Sequence, residues 1–518
     1  MTIDLQTCLG IQDLIESNIS SGAGSKIAFI NEYRNWTYLE LSDLIGRVAT
    51  GLLAIGIRKG DRVAIILKDS IEFAASFFAA IRIGAIAVPI STYQNADDYD
   101  RAFAKIHPSI LIGHQSNSEL TKACWLTRNE VGKVFVDSGS HMGLWGQWIQ
   151  DSTPKYSPTA VRDDDVAFLL WTSGTTGRSI AVAHRHRDAF VSCRHYANCI
   201  LKASSADVFL STSRMYLAYG LGNSVFFPLF AGATSVLISE RPTPKTVLTL
   251  AERVNATLLF SVPTFFAMML EVAEKNSTIK VPSLRLSISA AEPLSPNTVL
   301  RWKRRFGADI LDGVGSTEAL HIYLSAREGE VRPGSVGCPV TGYEVDLRYD
   351  GMSLSTDSSH ETPIGTLWLR GESVASEYWD DVNATSRSMQ DGWFNTGDRF
   401  YVDDDGYYYF VGRYDSMFRI SGKWVSAVEI EALLGEDDAV SDVAVLAYLD
   451  EDGFSKLCAF VVLAPEYDDT MDSESKLREL CENRLPLLKR PGKYRFVGTI
   501  PRTPTGKTQR FLLKSQTF

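Results

Sequence analysis

A chain of 518 residues with 45% apolar and 22% charged residues is globular in composition and too long for one core, so two or more domains are expected. Its formal net charge of −10 argues against nucleic acid or an anionic membrane surface as the main partner. Seven cysteines without paired spacing read as reduced thiols of a cytoplasmic protein, and the sequence shows neither a secretory signal at its start nor an apolar run long enough to span a membrane.

Thr37 and Glu40 have the spacing of a capping box and open an apolar-periodic helix to about Ile55. Arg62–Leu67 reads as a β-branched strand, Ile71–Arg82 as an amphipathic helix and Ala85–Ile90 as a second strand. Apolar strands joined this way imply a parallel βαβ unit, and Thr234–Ile238, a helix from Pro244 and Ala256–Ser261 repeat the pattern. Val166–Thr172 is an apolar strand that breaks into a loop of glycines and hydroxyls. Gly174 and Gly177 let backbone N–H groups approach a ligand, and Thr172, Ser173, Thr175 and Thr176 offer donors to phosphate oxygens. The Gly-Lys-Ser/Thr ending of the common nucleotide loop is absent, and the loop taken alone also fits a surface turn. His184 and His186 behind it are expected to be structural. His195 and Cys199 share a helix face, but two candidate ligands do not make a metal site.

Asp312 to Glu318 follows a short strand and places a carboxylate just after a hydroxyl pair, which suits Mg²⁺ held by one carboxylate and nucleotide phosphates; a solvated turn is the competing reading. Beyond about residue 340 the strands shorten and alternate. Asp398 is expected at a strand end, where it can accept from ribose hydroxyls, and Asp405-Gly406 signals a hairpin. After about Asp415 a smaller α+β pattern follows, with a helix near Val428–Leu434 and strands near Val443–Tyr448 and Leu457–Val462. Pro501 to Lys507 displays a lysine on a loop stiffened by two prolines.

In this order and at these separations the segments resemble the acyl- and aryl-adenylate-forming superfamily over nearly the whole chain. Arg214–Asn223, Glu240–Pro244, Val262–Thr264 and Asp312–Ser325 look most like its benzoate–CoA and anthranilate–CoA ligase branch. The resemblance implies an α/β fold with two domains. Residues 1–414 would form a large N-terminal domain of parallel βαβ-rich sheets plus a distorted β-barrel, and residues 415–518 a small mobile α+β lid. It implies ATP, Mg²⁺ and coenzyme A, with an aryl acid activated as aryl-AMP and then passed to the thiol.

The implied roles fall residue by residue. Lys507 would bridge the carboxylate and the α-phosphate. Thr317 and Glu318 would hold phosphate and Mg²⁺, with Ser316 and the loop Thr172–Gly177 on the phosphates. Asp398 would take the ribose hydroxyls and Arg413 ribose or phosphate oxygens. Ala291, Glu292, Pro293, Asp312 and Gly313 would border the nucleotide. The acid slot would be drawn from Leu217, Ala218, Tyr219, Ala290, Val314, Gly315 and His321, where the histidine orients the carboxylate, meets an ortho substituent or is a core residue. Asp415 would be the hinge, and Ser421, Gly422, Lys423 and Trp424 would line the coenzyme A tunnel.

Two departures from the family pattern stand out. Ile180 occupies the place of the phosphate-loop lysine, which should weaken ATP or pyrophosphate binding unless Arg178 or Arg185 substitutes, and Ala291 stands where glycine is usual. Three alternatives stay open: an enzyme that loads a carrier-protein thiol, a degenerate acyl-binding homologue, and an interaction protein on this fold. A homodimer also stays open.

Overall fold

The computed structural model describes residues 11–514 apart from 12, 33, 128–131, 138–142, 151–158, 174–178, 350–351, 354–363, 414–416, 421–422, 438, 451–453, 465–466, 468–469, 502–507 and 509. The Thr37 hydroxyl accepts from Glu40 N–H while the Glu40 carboxylate accepts from Thr37 N–H, so the capping box forms and starts the helix Tyr38–Ala54. Strands Arg62–Ile66 and Ile86–Pro89 pair in parallel, as the βαβ pattern predicts. They belong to a six-stranded sheet that ends in the hairpin Val166–Ser173 and Ser179–Arg185, antiparallel to each other. A second, nine-stranded sheet carries Thr234–Val236 and Leu258–Ser261, with Val208–Ser211 inserted between them.

The helix Ile71–Arg82 is not amphipathic. Every residue but Glu72 is buried, because the helix lies between the two sheets and has no solvent face. Phe77 packs its ring 5.5 Å from Phe168 of the first sheet and 6.0 Å from Phe226, beside the second. Arg82 at its end pairs with Glu16 and donates to the Ser42 carbonyl.

The shorter, alternating strands expected beyond about residue 340 form a six-stranded antiparallel sheet built around Tyr343–Tyr349, Gly365–Gly371, Trp393–Val402 and Tyr408–Arg413. Its hairpin turns at Asp405-Gly406 as predicted. Gly406 sits at φ +83°, and Asp403 Oδ1 accepts from the N–H groups of Asp405 and Tyr407. The C-terminal domain carries the helix Ala427–Leu434, capped by Ser426, and a three-stranded sheet of Val440–Leu449, Ser455–Leu463 and Lys493–Phe496. It has its own core around Ile430, Leu434, Val445, Ala459 and Leu477. Among the described residues no helix is long and apolar enough to cross a membrane.

Candidate active site

Asp312–Gly315 do not follow a strand; they are the last part of one, Asp309–Gly315. Glycine is required there by close approach. A Cβ on Gly315 would lie 2.6 Å from the His321 carbonyl oxygen, and one on Gly313 would lie 2.9 Å from Ile322 Cγ2. The connection to Ile322–Ser325 holds Ser316, Thr317 and Glu318. His184 Nε2–H donates to the Thr317 carbonyl at 2.9 Å, tying this connection to the hairpin behind the phosphate loop. The histidine is wholly buried and its Nδ1 faces Asp188 Oδ2 at 3.3 Å, so it is structural, as expected. His186 is also buried, and burial pushes its imidazole down to about 4.

Glu318 is 7% exposed, and its Oε1 accepts from the Tyr378 hydroxyl at 2.8 Å. Its backbone carbonyl accepts from Ala375 N–H, and Tyr378 bridges to Val182 of the hairpin. Asp398 stands inside the strand Trp393–Val402 rather than at an end. Against Gly365–Gly371 the register slips between the pairs Thr366–Arg399 and Trp368–Asn395, and within that bulge Gly397 takes φ +71°. Arg413 pairs opposite Asp398 and its Nη1 lies 3.2 Å from Asp398 Oδ1. Buried Tyr323 feels Asp398, Glu318 and Arg413 together; burial, then the two carboxylates, hold its phenol well above the usual range. Glu318, Asp398 and Arg413 therefore all lie in the surroundings of Tyr323.

The acid-slot residues also gather. Tyr219 donates to the Ile288 carbonyl at 2.9 Å, and its ring lies 5.4 Å from that of His321. Tyr196 and Phe227 complete the box at 5.1 and 4.4 Å. His321 Nε2–H donates to Asn223 Oδ1 at 3.0 Å, and burial pushes the imidazole down to about 3, so it is neutral and keeps Nδ1 as an acceptor. Ala218 and Ala290 are buried, while Leu217 and Val314 are partly buried. Burial pushes the Asp312 carboxyl up to about 8 against the Gly313 N–H and the Ser289 hydroxyl, so near neutral pH it is largely protonated.

Glu292 Oε2 accepts from Thr264 N–H at 3.1 Å, at the start of the helix Pro263–Lys275, and Pro293 is exposed beside it. Ala291 adopts φ +80°, a left-handed conformation that costs a residue with a Cβ about 1 kcal/mol. Ala291→Gly should therefore raise stability by up to about 1 kcal/mol, less glycine's extra backbone entropy. Thermal and urea midpoints check this, and an unchanged or lower midpoint refutes it. Ile180 pairs with Thr172 and packs beside Val182 and Tyr378. Arg185 cannot replace the missing lysine: it is bound to Asp188 and to the carbonyls of Glu372 and Val374.

Thr172 and Ser173 end their strand. Gly174, Thr175, Thr176, Gly177 and Arg178 lie outside the described residues, as do Asp415, Ser421, Gly422 and Lys507. Lys423 and Trp424 open the strand Lys423–Ser426. Tyr378, Asn223 and Asp188 carry no sequence signal that singles them out.

A single buried carboxylate with one oxygen engaged by a neutral donor fits Mg²⁺ completed by phosphate oxygens, and among the described residues no group of three or more His, Cys, Asp or Glu is placed to hold a metal alone. The AMP-binding enzyme family matches residues 18–379, and its C-terminal domain matches residues 429–507. The chain belongs to the AMP-binding enzyme family. This AMP-binding enzyme is 35% identical to the benzoate–CoA ligase of Thauera aromatica over 97% of this chain and 95% of that protein. A p-hydroxybenzoic acid–AMP ligase of Mycobacterium tuberculosis is 32% identical over 93% of this chain and 65% of that protein. Among solved structures, an anthranilate CoA ligase in complex with anthranoyl-AMP matches with a TM-score of 0.90 at 31% identity, covering 98% of this chain and 97% of that one.

Proposed function

We propose that this AMP-binding enzyme is an ATP-dependent aryl-acid–CoA ligase of the cytoplasm. An aryl carboxylate oxygen attacks the α-phosphate of ATP and pyrophosphate leaves. The thiol of coenzyme A then attacks the acyl carbon of the aryl-adenylate, and AMP leaves. The observation that carries this reading is the cluster of Tyr196, Tyr219 and Phe227 around neutral His321, three residues along the chain from Glu318.

A flat aromatic acid suits a slot with aromatic rings on one side and small residues such as Ala218 and Ala290 on the other. Its polar groups include the Tyr196 and Tyr219 hydroxyls, engaged with Ser325 and the Ile288 carbonyl, and an imidazole whose Nε2–H is committed to Asn223. A neutral acceptor of this kind suits an amino or hydroxyl substituent better than a carboxylate, so we favour an anthranilate- or hydroxybenzoate-like acid. Glu318 would hold Mg²⁺, which when bound neutralises charge on the phosphates. Asp398 accepts from the ribose hydroxyls, Arg413 donates to ribose or phosphate oxygens, and Thr317 and the loop Thr172–Gly177 donate to phosphate. Lys507 supplies the cation at the α-phosphate, and rotation of residues 415–518 about Asp415 exchanges it for the thiol path along Ser421–Trp424. The separate family matches on either side of this boundary support the division into 1–414 and 415–518.

The test is mass spectrometry of products after mixing the protein with ATP, Mg²⁺, coenzyme A and a panel of benzoate, anthranilate, hydroxybenzoates and a medium-chain fatty acid. Aryl-CoA supports the reading and names the acid. Aryl-adenylate that accumulates without thioester favours transfer to a carrier-protein thiol, a second reading motivated by the similarity to an acid–AMP ligase. Absence of AMP and of any acyl product across the panel overturns both.

A further inference from the structure

The block Arg214–Asn223 and the block Glu240–Pro244 stand out in the sequence, and a side chain explains why they occur together. Arg214 Nη1 donates to the Ile238 carbonyl at 2.7 Å and Nη2 to the Glu240 carbonyl at 2.8 Å. Asp69, in the connection between the strand Arg62–Ile66 and the helix Ile71–Arg82, approaches from the other sheet. Its Oδ1 accepts from Met215 N–H at 3.0 Å, and its Oδ2 lies 3.7 Å from Arg214 Nη1. Asp69 is 5% exposed and Met215 is wholly buried. Burial pushes the Asp69 carboxyl up to about 6 against the opposing Arg214 charge and Met215 N–H, so keeping a carboxylate there costs stability that an apolar residue would not.

Beyond Met215 the chain makes a tight turn. Leu217 N–H returns to the Arg214 carbonyl at 3.0 Å, and a Cβ on Gly220 would lie 2.0 Å from that same oxygen. The turn delivers Leu217, Ala218 and Tyr219. Its far end is fixed by the Tyr219 hydroxyl on the Ile288 carbonyl, and its near end by Asp69 and Arg214 alone of the charged side chains described.

We propose that Asp69 and Arg214 are a positioning pair that sets the wall of the aryl-acid slot, holding the turn Arg214–Gly220 at a fixed distance from the ring site. The pair acts through the turn, and its role rests on the reading of Leu217–Tyr219 as that wall. It acts by preorganisation: a wall free to drift by an ångström loses contacts with a flat ring while the nucleotide side is unchanged.

Asp69→Asn keeps the shape and an acceptor for Met215 N–H but removes the charge facing Arg214. The expected result is a KM for the aryl acid raised about tenfold, with the KM for ATP unchanged and kcat lowered less. Hydrogen–deuterium exchange should quicken in peptides spanning residues 214–221 and stay the same over the Glu318 connection. Equal shifts in both KM values, or an unchanged acid KM with unchanged exchange, would overturn the pairing. Should Asp69→Asn fail to fold, Arg214→Lys keeps the charge but cannot span the carbonyls as a fork, and the same readouts apply. If the wild type yields no aryl-CoA with any acid, the slot reading fails separately. Exchange at 214–221 then decides the clamp by itself, since faster exchange upholds it and unchanged exchange removes it.

Discussion

Glu318→Gln should slow pyrophosphate release from ATP and aryl acid by about a hundredfold, in line with the loss of one preorganised electrostatic partner at a charge-developing site. The amide has the carboxylate's shape, and the Tyr378 hydroxyl that sits 2.8 Å from Glu318 Oε1 can still donate to it, so the connection keeps its geometry. What disappears is the negative charge that would bind Mg²⁺ beside the phosphates. Two readouts separate this from misfolding. The Mg²⁺ concentration for half-maximal rate should rise, and nucleotide-dependent Mn²⁺ binding should weaken, while the thermal midpoint stays close to that of the wild type. A variant with normal Mg²⁺ dependence and normal pyrophosphate release would remove Glu318 from the metal site.

Asp188→Ala should cost about 3–5 kcal/mol of stability, the range for removing one partner of a buried ion pair. Asp188 is wholly buried and accepts from Arg185 N–H at 2.9 Å and from Arg185 Nε at 3.1 Å, with His184 Nδ1 at 3.3 Å. Alanine leaves the largely buried Arg185 guanidinium with the more distant, half-exposed Asp164 carboxylate, 3.9 Å from Nη1, and the His184 ring without one of its two anchors. Since His184 also holds the Thr317 carbonyl, the damage reaches the connection that carries Glu318. Asp188→Asn keeps an acceptor and should lose less. Urea unfolding of the three proteins gives the ranking, and a loss for alanine under about 1 kcal/mol would show that the cluster is not a structural anchor.

Local chemistry made much of the fold legible. The Thr37–Glu40 box and the turn at Asp405-Gly406 follow from residues within a few positions of one another, and the parallel pair at Arg62–Ile66 and Ile86–Pro89 from two apolar strands separated by a single helix. The exceptions have physical causes. Ile71–Arg82 carries a periodicity with polar positions that suggests a water face, but tertiary packing buries Ser76 and Arg82 as well. Asp398 lies within a strand because a bulge against Gly365–Gly371, invisible to alternation, absorbs Gly397. At the site, motif spacing points to the residue types, yet the partners that hold them lie far away in sequence. Tyr378 is 60 positions from Glu318, and Met215 is 146 from Asp69. Nothing local to either end encodes such a pairing. The conformation of Ala291 is equally hidden, because an alanine in sequence carries no sign of a left-handed backbone.

The helix Ile71–Arg82 has a consequence for how the large domain comes apart. One continuous apolar cluster joins Val63, Ile65 and Ile110 of the first sheet to Phe209, Phe260 and Ile288 of the second, with Phe73, Phe77 and Phe78 among them. Neither sheet can bury its inner face without the helix, and the helix cannot be shared out between halves. Splitting the chain between the sheets should therefore give fragments that stay unfolded or aggregate alone and regain structure only when mixed. The two similar βαβ halves should melt as one cooperative unit, whatever freedom the C-terminal domain retains.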